Sequence, residues 1–272
     1  MKQDTGLKRN SIDKYYTKKD VVVKCIDMIK SNINVGENDL CIEPSAGNGS
    51  FISGIKQICT KHIFYDLEPE GKEIIKQDYL LLDVTSFQSY DKIHVIGNPP
   101  FGRQSSLAIK FIKKSVNFSD TISFILPKSF KKDSMQKHFP PNFHLVCNQD
   151  LPNDSFLVDD ESYNVPCVFQ IWEKRNTNRI LPKKLKPNNF TFVKKDESPD
   201  ISFRRVGINA GKIDRDTKSK AEQSHYFIKF QNRIGKTKLE KLNSLMYDTK
   251  DNTVGPRSIS KPELIKEFNK IL

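Results

Sequence analysis

The residues best suited to chemistry in this chain are Asn98-Pro99-Pro100-Phe101. Two consecutive prolines fix the backbone and remove two N–H donors. Pro99 keeps its carbonyl as an outward acceptor, and Asn98 supplies a side-chain carbonyl beside it. Two acceptors at fixed spacing suit a planar –NH2 group. Phe101 adds a flat face on which an aromatic ring can stack. The lone pair of an aromatic amine is delocalised into its ring, which makes it a poor nucleophile. Acceptors on both its hydrogens draw the nitrogen toward tetrahedral geometry and disperse the positive charge that develops on it. This chemistry needs neither a metal nor a covalent intermediate.

A second loop precedes it, Glu43-Pro44-Ser45-Ala46-Gly47-Asn48-Gly49-Ser50-Phe51. Its glycines and small neighbours let backbone pass close to a ligand at the start of a helix. No Gly-Lys-Ser/Thr follows, so it is not a P-loop, and the third glycine of a dinucleotide fingerprint is missing. Asp66 lies about 20 residues further on, where an acidic side chain at a strand end accepts ribose hydroxyls. Asp78, after the apolar pair Ile74-Ile75, could accept a bond from an adenine amino group.

Apolar periodicity supplies the elements that position these loops. Thr17 is placed to cap a helix running to about Asn32, with Asp20 three residues on as in a capping box. Residues 39–43, 62–65, 93–97, 121–126, 143–147 and 167–172 read as strands, with helices over 50–59 and 105–116. Such alternation predicts an α/β, doubly wound parallel sheet with ligands in loops beyond the strand C-terminal ends. Both unusual loops fall there. Only seven residues separate Asp66 from Ile74. A parallel crossover usually needs a dozen or more, so the helix there is missing or the third strand is displaced. Strands are expected at 201–206 and 225–230 and a helix at 236–246. Ser260-Lys261-Pro262-Glu263 opens another helix with a capping box.

With the two loops in this order, the chain resembles a class I, S-adenosylmethionine-dependent amino methyltransferase of the N6-adenine type. Tyr15-Tyr16-Thr17 and the first helix resemble that family's N-terminal cofactor motif. The form of 43–51 resembles DNA adenine methyltransferases in particular. The resemblance covers roughly residues 12–173. It implies a Rossmann-like class I methyltransferase fold, a mostly parallel seven-stranded sheet with helices on both faces, plus a small basic C-terminal region. It implies a catalytic domain over 1–200 and a nucleic-acid-recognition region over 201–272. The implied reaction moves a methyl group from S-adenosylmethionine to N6 of a flipped-out adenine in DNA, leaving S-adenosylhomocysteine. Asn98, Pro99 and Pro100 would hold the target amino group and Phe101 would stack on the base. Glu43, Ala46, Gly47 and Gly49 would line the methionine part of the cofactor, with Asn98 at its border. Asp66 would hold the ribose, Asp78 and its neighbour Tyr79 the adenine end, and Tyr16 and Thr17 would close over the methionine. Phe156 or Phe169 would line the base pocket.

Charge bears on the partner. The chain carries +12 over 272 residues. Residues 1–173 hold 21 Lys/Arg against 22 Asp/Glu, whereas 174–272 hold 24 against 11. A neutral first part and a basic last part point to a polyanion held by the C-terminal third. The partner expected is nucleic acid, DNA ahead of RNA. An RNA adenine methyltransferase is the alternative, and a catalytically silent methyltransferase-like nucleic-acid-binding subunit a further one. About 100 residues are few for reading a long site, so a short site, a homodimer or a partner subunit is expected. No stretch approaches the ~20 apolar residues of a membrane span, and the N-terminus lacks the apolar core of a signal peptide. The five cysteines are never closer than 16 apart, which fits neither a disulfide framework nor a zinc ribbon. These features read as intracellular, without a metal. Pro166-Cys167 lies inside an apolar run and belongs to the core. The five histidines lack ligand spacing and read as structural or surface residues.

Overall fold

A computed structural model describes residues 15–272. Residues 1–14, which open the expected catalytic domain, lie outside the described residues. The described chain forms two compact units, 15–181 and 182–272. The boundary therefore falls at 181/182 and not at the expected 200. The reason is a strand at Phe190–Val193 that pairs with Phe227–Phe230 in the second unit.

The first unit runs β1 (Tyr16–Thr17), α1 (Lys19–Asn32), β2 (Leu40–Glu43), α2 (Ile52–Ile58), β3 (Lys61–Asp66), β4 (Ile75–Lys76) and β5 (Ile93–Gly97). It continues through α3 (Ser106–Ser115), β6 (Thr121–Pro127), α4 (Asp133–Gln136), β7 (Phe143–Asp150), β8 (Phe156–Val158), β9 (Glu161–Tyr163) and β10 (Cys167–Lys174). Every residue of β2, β5 and β6 is buried. Such unbroken burial belongs to parallel strands covered on both faces. Seven strands form one sheet in the order β4-β3-β2-β5-β6-β10-β7. Its first four pairings are parallel, and β10 runs antiparallel to β6 and β7. This is the mostly parallel, Rossmann-like sheet that the sequence predicts. Helix α1 buries Val22, Cys25, Ile26 and Ile29 and packs on α2, β7 and β10, while α3 packs on β6.

The strand order sets the place of the site. From β2 the chain moves outward to β3 and β4, then returns to β5 on the other flank of β2. That reversal opens a crevice beyond the C-terminal ends of β2 and β5. Below it, buried His94 ties the strands together, with Nε2 3.0 Å from Asp39 Oδ2 and Nδ1 2.8 Å from Thr121 Oγ1. Burial pushes the Asp39 carboxyl up, but bonds from His94 and the Gly36 N–H outweigh it and hold the group below its ordinary range.

No helix separates β3 from β4. The register Tyr65↔Ile75 and Asp66↔Lys76 explains how so short a parallel connection closes. Strand β4 is two residues long and pairs only with the last two of β3, so the chain never recrosses the sheet. The expectation for Thr17 requires correction. Helix α1 starts at Lys19 with no side-chain cap, because Thr17 belongs to β1, which pairs with β8.

The second unit contains β11 (Phe190–Val193), β12 (Ile201–Arg204), β13 (Ile213–Asp214) and β14 (His225–Phe230), then α5 (Lys236–Asn243) and α6 (Lys261–Phe268). Its strands form an antiparallel sheet in the order β11-β14-β12-β13. The core gathers Phe190, Phe203 and Ile228 from the sheet with Leu242, Leu264 and Phe268 from the helices. The predicted capping box opens α6: the Glu263 carboxylate accepts the Ser260 N–H at 2.6 Å, and Ser260 Oγ accepts the Glu263 N–H. This unit holds 21 Lys/Arg against 11 Asp/Glu.

Candidate active site

The loops after β2 and β5 enclose a cavity of about 600 Å³. The glycine-rich loop is left-handed at Gly47 and Gly49, with φ of 52° and 82°. That conformation costs other residues roughly 1–2 kcal/mol. A Cβ on Gly47 would also come within 3.3 Å of the Tyr16 ring. The loop is anchored where Ala46 N donates to the Tyr65 carbonyl at 2.8 Å and Gly47 N to Asp66 Oδ2 at 2.7 Å. The second Asp66 oxygen accepts the Glu68 N–H at 2.8 Å. Asp66 thus borders the cavity while bracing its two nearest loops.

Asn98 is held through both its side chain and its backbone. Its Nδ2 donates to the Tyr15 carbonyl at 3.0 Å and to Thr17 Oγ1 at 3.3 Å. Its backbone carbonyl accepts from Ser45 Oγ at 3.1 Å. The hydrogen-bond network so assigns the amide orientation. Asn98 Oδ1 is buried and has no partner among the described residues. Glu43, at the end of β2, repeats the pattern: its carboxylate is buried and Oε2 has no donor among the described residues. Burial, with Asp66 adding repulsion, pushes the Glu43 carboxyl up from 4.5 to about 8. Orphaned buried acceptors are rare in folded proteins and each calls for an explanation; these two lie at the cavity, where a guest could supply the donor.

Of the residues singled out by sequence, Tyr16, Thr17, Glu43, Ala46, Gly47, Asp66, Asp78, Tyr79, Asn98 and Pro100 line this cavity. Gly49, Pro99 and Phe101 are not in its lining. Gly49 shapes the turn instead, donating to the Ala46 carbonyl at 2.7 Å. Phe101 is buried and stacks on Tyr15, with ring centroids 6.5 Å apart and planes 22° apart. Asp78 caps the turn Tyr79–Leu81 by accepting the Leu80 N–H at 2.9 Å. Tyr79 is buried, stacks on Phe111 and shares a 2.7 Å bond with Ser115 Oγ, so its hydroxyl is already used. Phe156 and Phe169 are fully buried and neither lines the cavity; Phe156 meets Tyr15 edge-on at 6.3 Å.

Sequence reasoning missed Ser45, which fixes the Asn98 backbone, and Glu70, which accepts from the Tyr16 hydroxyl. Neither spacing nor composition distinguishes them from ordinary loop residues. Cys167 is buried in β10, and burial raises its thiol far above the ordinary range. Among the described residues, no group of three or more His, Cys, Asp or Glu is placed to hold a metal ion. None of the described helices is long and apolar enough to cross a membrane.

The donor set has a definite appetite. A buried Glu43 oxygen without a donor suits a cationic group. Asp66 and Asp78 suit hydroxyl or amino donors, and Leu80, Leu107 and Phe111 supply apolar walls for a flat ring. An amphipathic cation bearing a nucleoside satisfies all three.

No protein-family model matches the sequence, and no curated protein matches it. Solved structures do resemble it. The 23S rRNA methyltransferase ErmE is 11% identical with a TM-score of 0.47, over 61% of this chain and 72% of that one. The methyltransferase subunit of a type I restriction-modification system from Streptococcus thermophilus is 13% identical with a TM-score of 0.44, over 63% of this chain and 47% of that one. An rRNA methylase from Streptococcus thermophilus is 14% identical with a TM-score of 0.36, over 57% and 93%.

Proposed function

We propose that this chain transfers a methyl group from S-adenosylmethionine to the exocyclic N6 of adenine in DNA. One observation carries the reading. Asn98, held by Tyr15 and Thr17 at the sheet's switch point, keeps a buried Oδ1 with no donor. An amino group is the guest that completes it.

Bound S-adenosylmethionine supplies a methyl group on an electrophilic sulfonium. Glu43 and the Gly47 turn hold the methionine end, and Tyr16 covers it. Asp66 takes the ribose hydroxyls, and Asp78 the adenine amino group beside the Tyr79 ring. Asn98 Oδ1 and the Pro99 carbonyl each accept one hydrogen of the target amino group. As that nitrogen bonds to the methyl carbon, the carbon–sulfur bond breaks and its electron pair stays on sulfur; both acceptors stabilise the positive charge on nitrogen, which then gives its surplus proton to solvent. Pro99 and Pro100 keep them from relaxing away, which preserves the gain. The aromatic face beside them comes from Tyr15, which lines the cavity and lies over the buried Phe101 ring. Flipping the adenine from a duplex costs a few kcal/mol, which phosphate contacts offset. The form of the Glu43–Phe51 loop favours DNA.

The test incubates the full chain with labelled S-adenosylmethionine and duplex DNA, single-stranded DNA or structured RNA, with Asn98→Ala as control. Transfer to adenine in DNA that vanishes in the variant is expected. Transfer surviving in Asn98→Ala would overturn the mechanism, and transfer to RNA alone would overturn the substrate.

A further inference from the structure

We propose that the second unit carries its own nucleic-acid grip, a groove at the end of β11 and the starts of β14 and α6 that holds the phosphodiester backbone. It deepens the reading above, and rests on it for the identity of the polyanion.

The groove has a volume of about 920 Å³. Lys194, Lys195, Arg205, Lys218 and Lys261 line it against the carboxylates Asp196 and Glu222. None of these five cations is ion-paired among the described residues. Lys220, two residues from Lys218, shows the contrast: its Nζ lies 2.7 Å from Asp214 and 3.8 Å from Asp216. Sequence charge therefore overstates what Lys220 offers a ligand and states correctly what Lys218 offers.

The groove cations are held without being neutralised. Lys261 Nζ sits 4.6 Å from the Phe192 ring centroid and 5.7 Å from that of Tyr226. The Arg205 guanidinium lies 5.4 Å from the Tyr226 ring. Aromatic faces attract a cation while leaving its charge intact. The two rings brace each other edge to face, with centroids 5.6 Å apart. At the groove's mouth, a turn fixes Lys194: its N–H donates to the Glu197 carboxylate at 2.7 Å, and Glu197 N donates back to its carbonyl. Glu197 thereby spends its charge on backbone. Unneutralised cations from four stretches of chain suit a run of anions more than one anion, and a polynucleotide presents such a run.

The experiment measures binding of the full chain to duplex DNA, and to RNA of equal length, across about 50 to 200 mM salt. Lys218→Ala and Lys194→Ala are compared with Lys220→Ala, and thermal melts check folding. Each groove variant is expected to weaken binding about three- to tenfold and to flatten the log–log salt slope by about 0.9 for duplex. Lys220→Ala should change affinity by less than about twofold, because its charge is already satisfied. Equal effects of Lys218→Ala and Lys220→Ala, or no effect of the groove variants, would overturn the proposal. The two readings separate cleanly. Groove variants that lose DNA binding in a protein transferring no methyl group support the groove and sink the methyltransferase. Methyl transfer with binding unchanged in the groove variants does the reverse.

Discussion

The two units keep their polar chemistry in opposite ways. In 15–181, Glu43 and the Asn98 side-chain oxygen are withdrawn from water, and among the described residues neither Glu43 Oε2 nor Asn98 Oδ1 meets a donor. In 182–272, Lys194, Lys218 and Lys261 stand in solvent, with no ion-pair partner among the described residues. A buried unsatisfied oxygen costs about 1–3 kcal/mol, so it survives only where packing and neighbouring bonds hold it. An exposed ammonium keeps its hydration and costs the fold little. The first arrangement works by geometry, where one displaced atom abolishes the effect. The second works by number, where each charge adds a share.

The largest expected effect follows from the geometric side. Asn98→Ala should lower methyl transfer about 10²–10³-fold, the loss typical of one preorganised polar group aimed at developing charge. DNA affinity should stay within about twofold of wild type. A merely tenfold loss of transfer would blur the contrast between the units. On the numerical side, Lys194→Ala combined with Lys218→Ala should multiply the separate losses in affinity, to about 10–100-fold, because exposed charges act independently. A double variant no weaker than either single one would mean a single shared contact.

Glycine substitutions sharpen the same contrast through stability. Gly102 follows the Asn98–Phe101 loop at φ 67°, and a Cβ there would stand 2.8 Å from Leu107 Cγ and 3.0 Å from Leu107 N. Gly102→Ala should cost about 1–2 kcal/mol from backbone strain alone, read as a shift in denaturant midpoint. Gly255, in the second unit, has nothing within 4 Å of its Cβ position. Gly255→Ala should stay within about 0.5 kcal/mol.

What the sequence made legible was local. The strands β2, β5 and β6 are mostly apolar runs, and Pro99-Pro100 and Gly47-x-Gly49 restrict backbone wherever they occur. Their placement at the switch point follows from chain order alone. What stayed hidden was relational. Thr17 has a good N-cap side chain, yet its hydroxyl serves Asn98, 81 residues away. Phe101 offers a stacking face that Tyr15 covers. Phe190–Val193 sits in a Lys-, Pro- and Asn-rich stretch and becomes a strand only because β14 lies beside it. Lys218 and Lys220 are alike in sequence and in charge but unlike in pairing, since among the described residues Lys220, not Lys218, lies within reach of Asp214 and Asp216.

A last prediction, read across pH, tests whether Glu43 is held as the geometry implies. Its carboxyl is pushed from 4.5 to about 8 by burial and by Asp66. The folded protein then binds more protons than the unfolded chain between those two values, so stability falls as pH rises across that window. Below 4.5 both states are protonated, and above 8 both are ionised, so the contribution is level on either side. Glu43→Gln mimics the neutral form at every pH. The variant should match wild type near pH 5 and exceed it near pH 8, in thermal melts taken across that range. A cationic ligand beside Glu43 would draw the carboxyl back down and release a proton. Titration calorimetry with S-adenosylmethionine near pH 7, in buffers of different ionisation heat, should record proton release in wild type and none from this site in Glu43→Gln. Parallel stability curves for the two proteins would show that Glu43 does not carry the shift, and would place it outside the cationic end of the site.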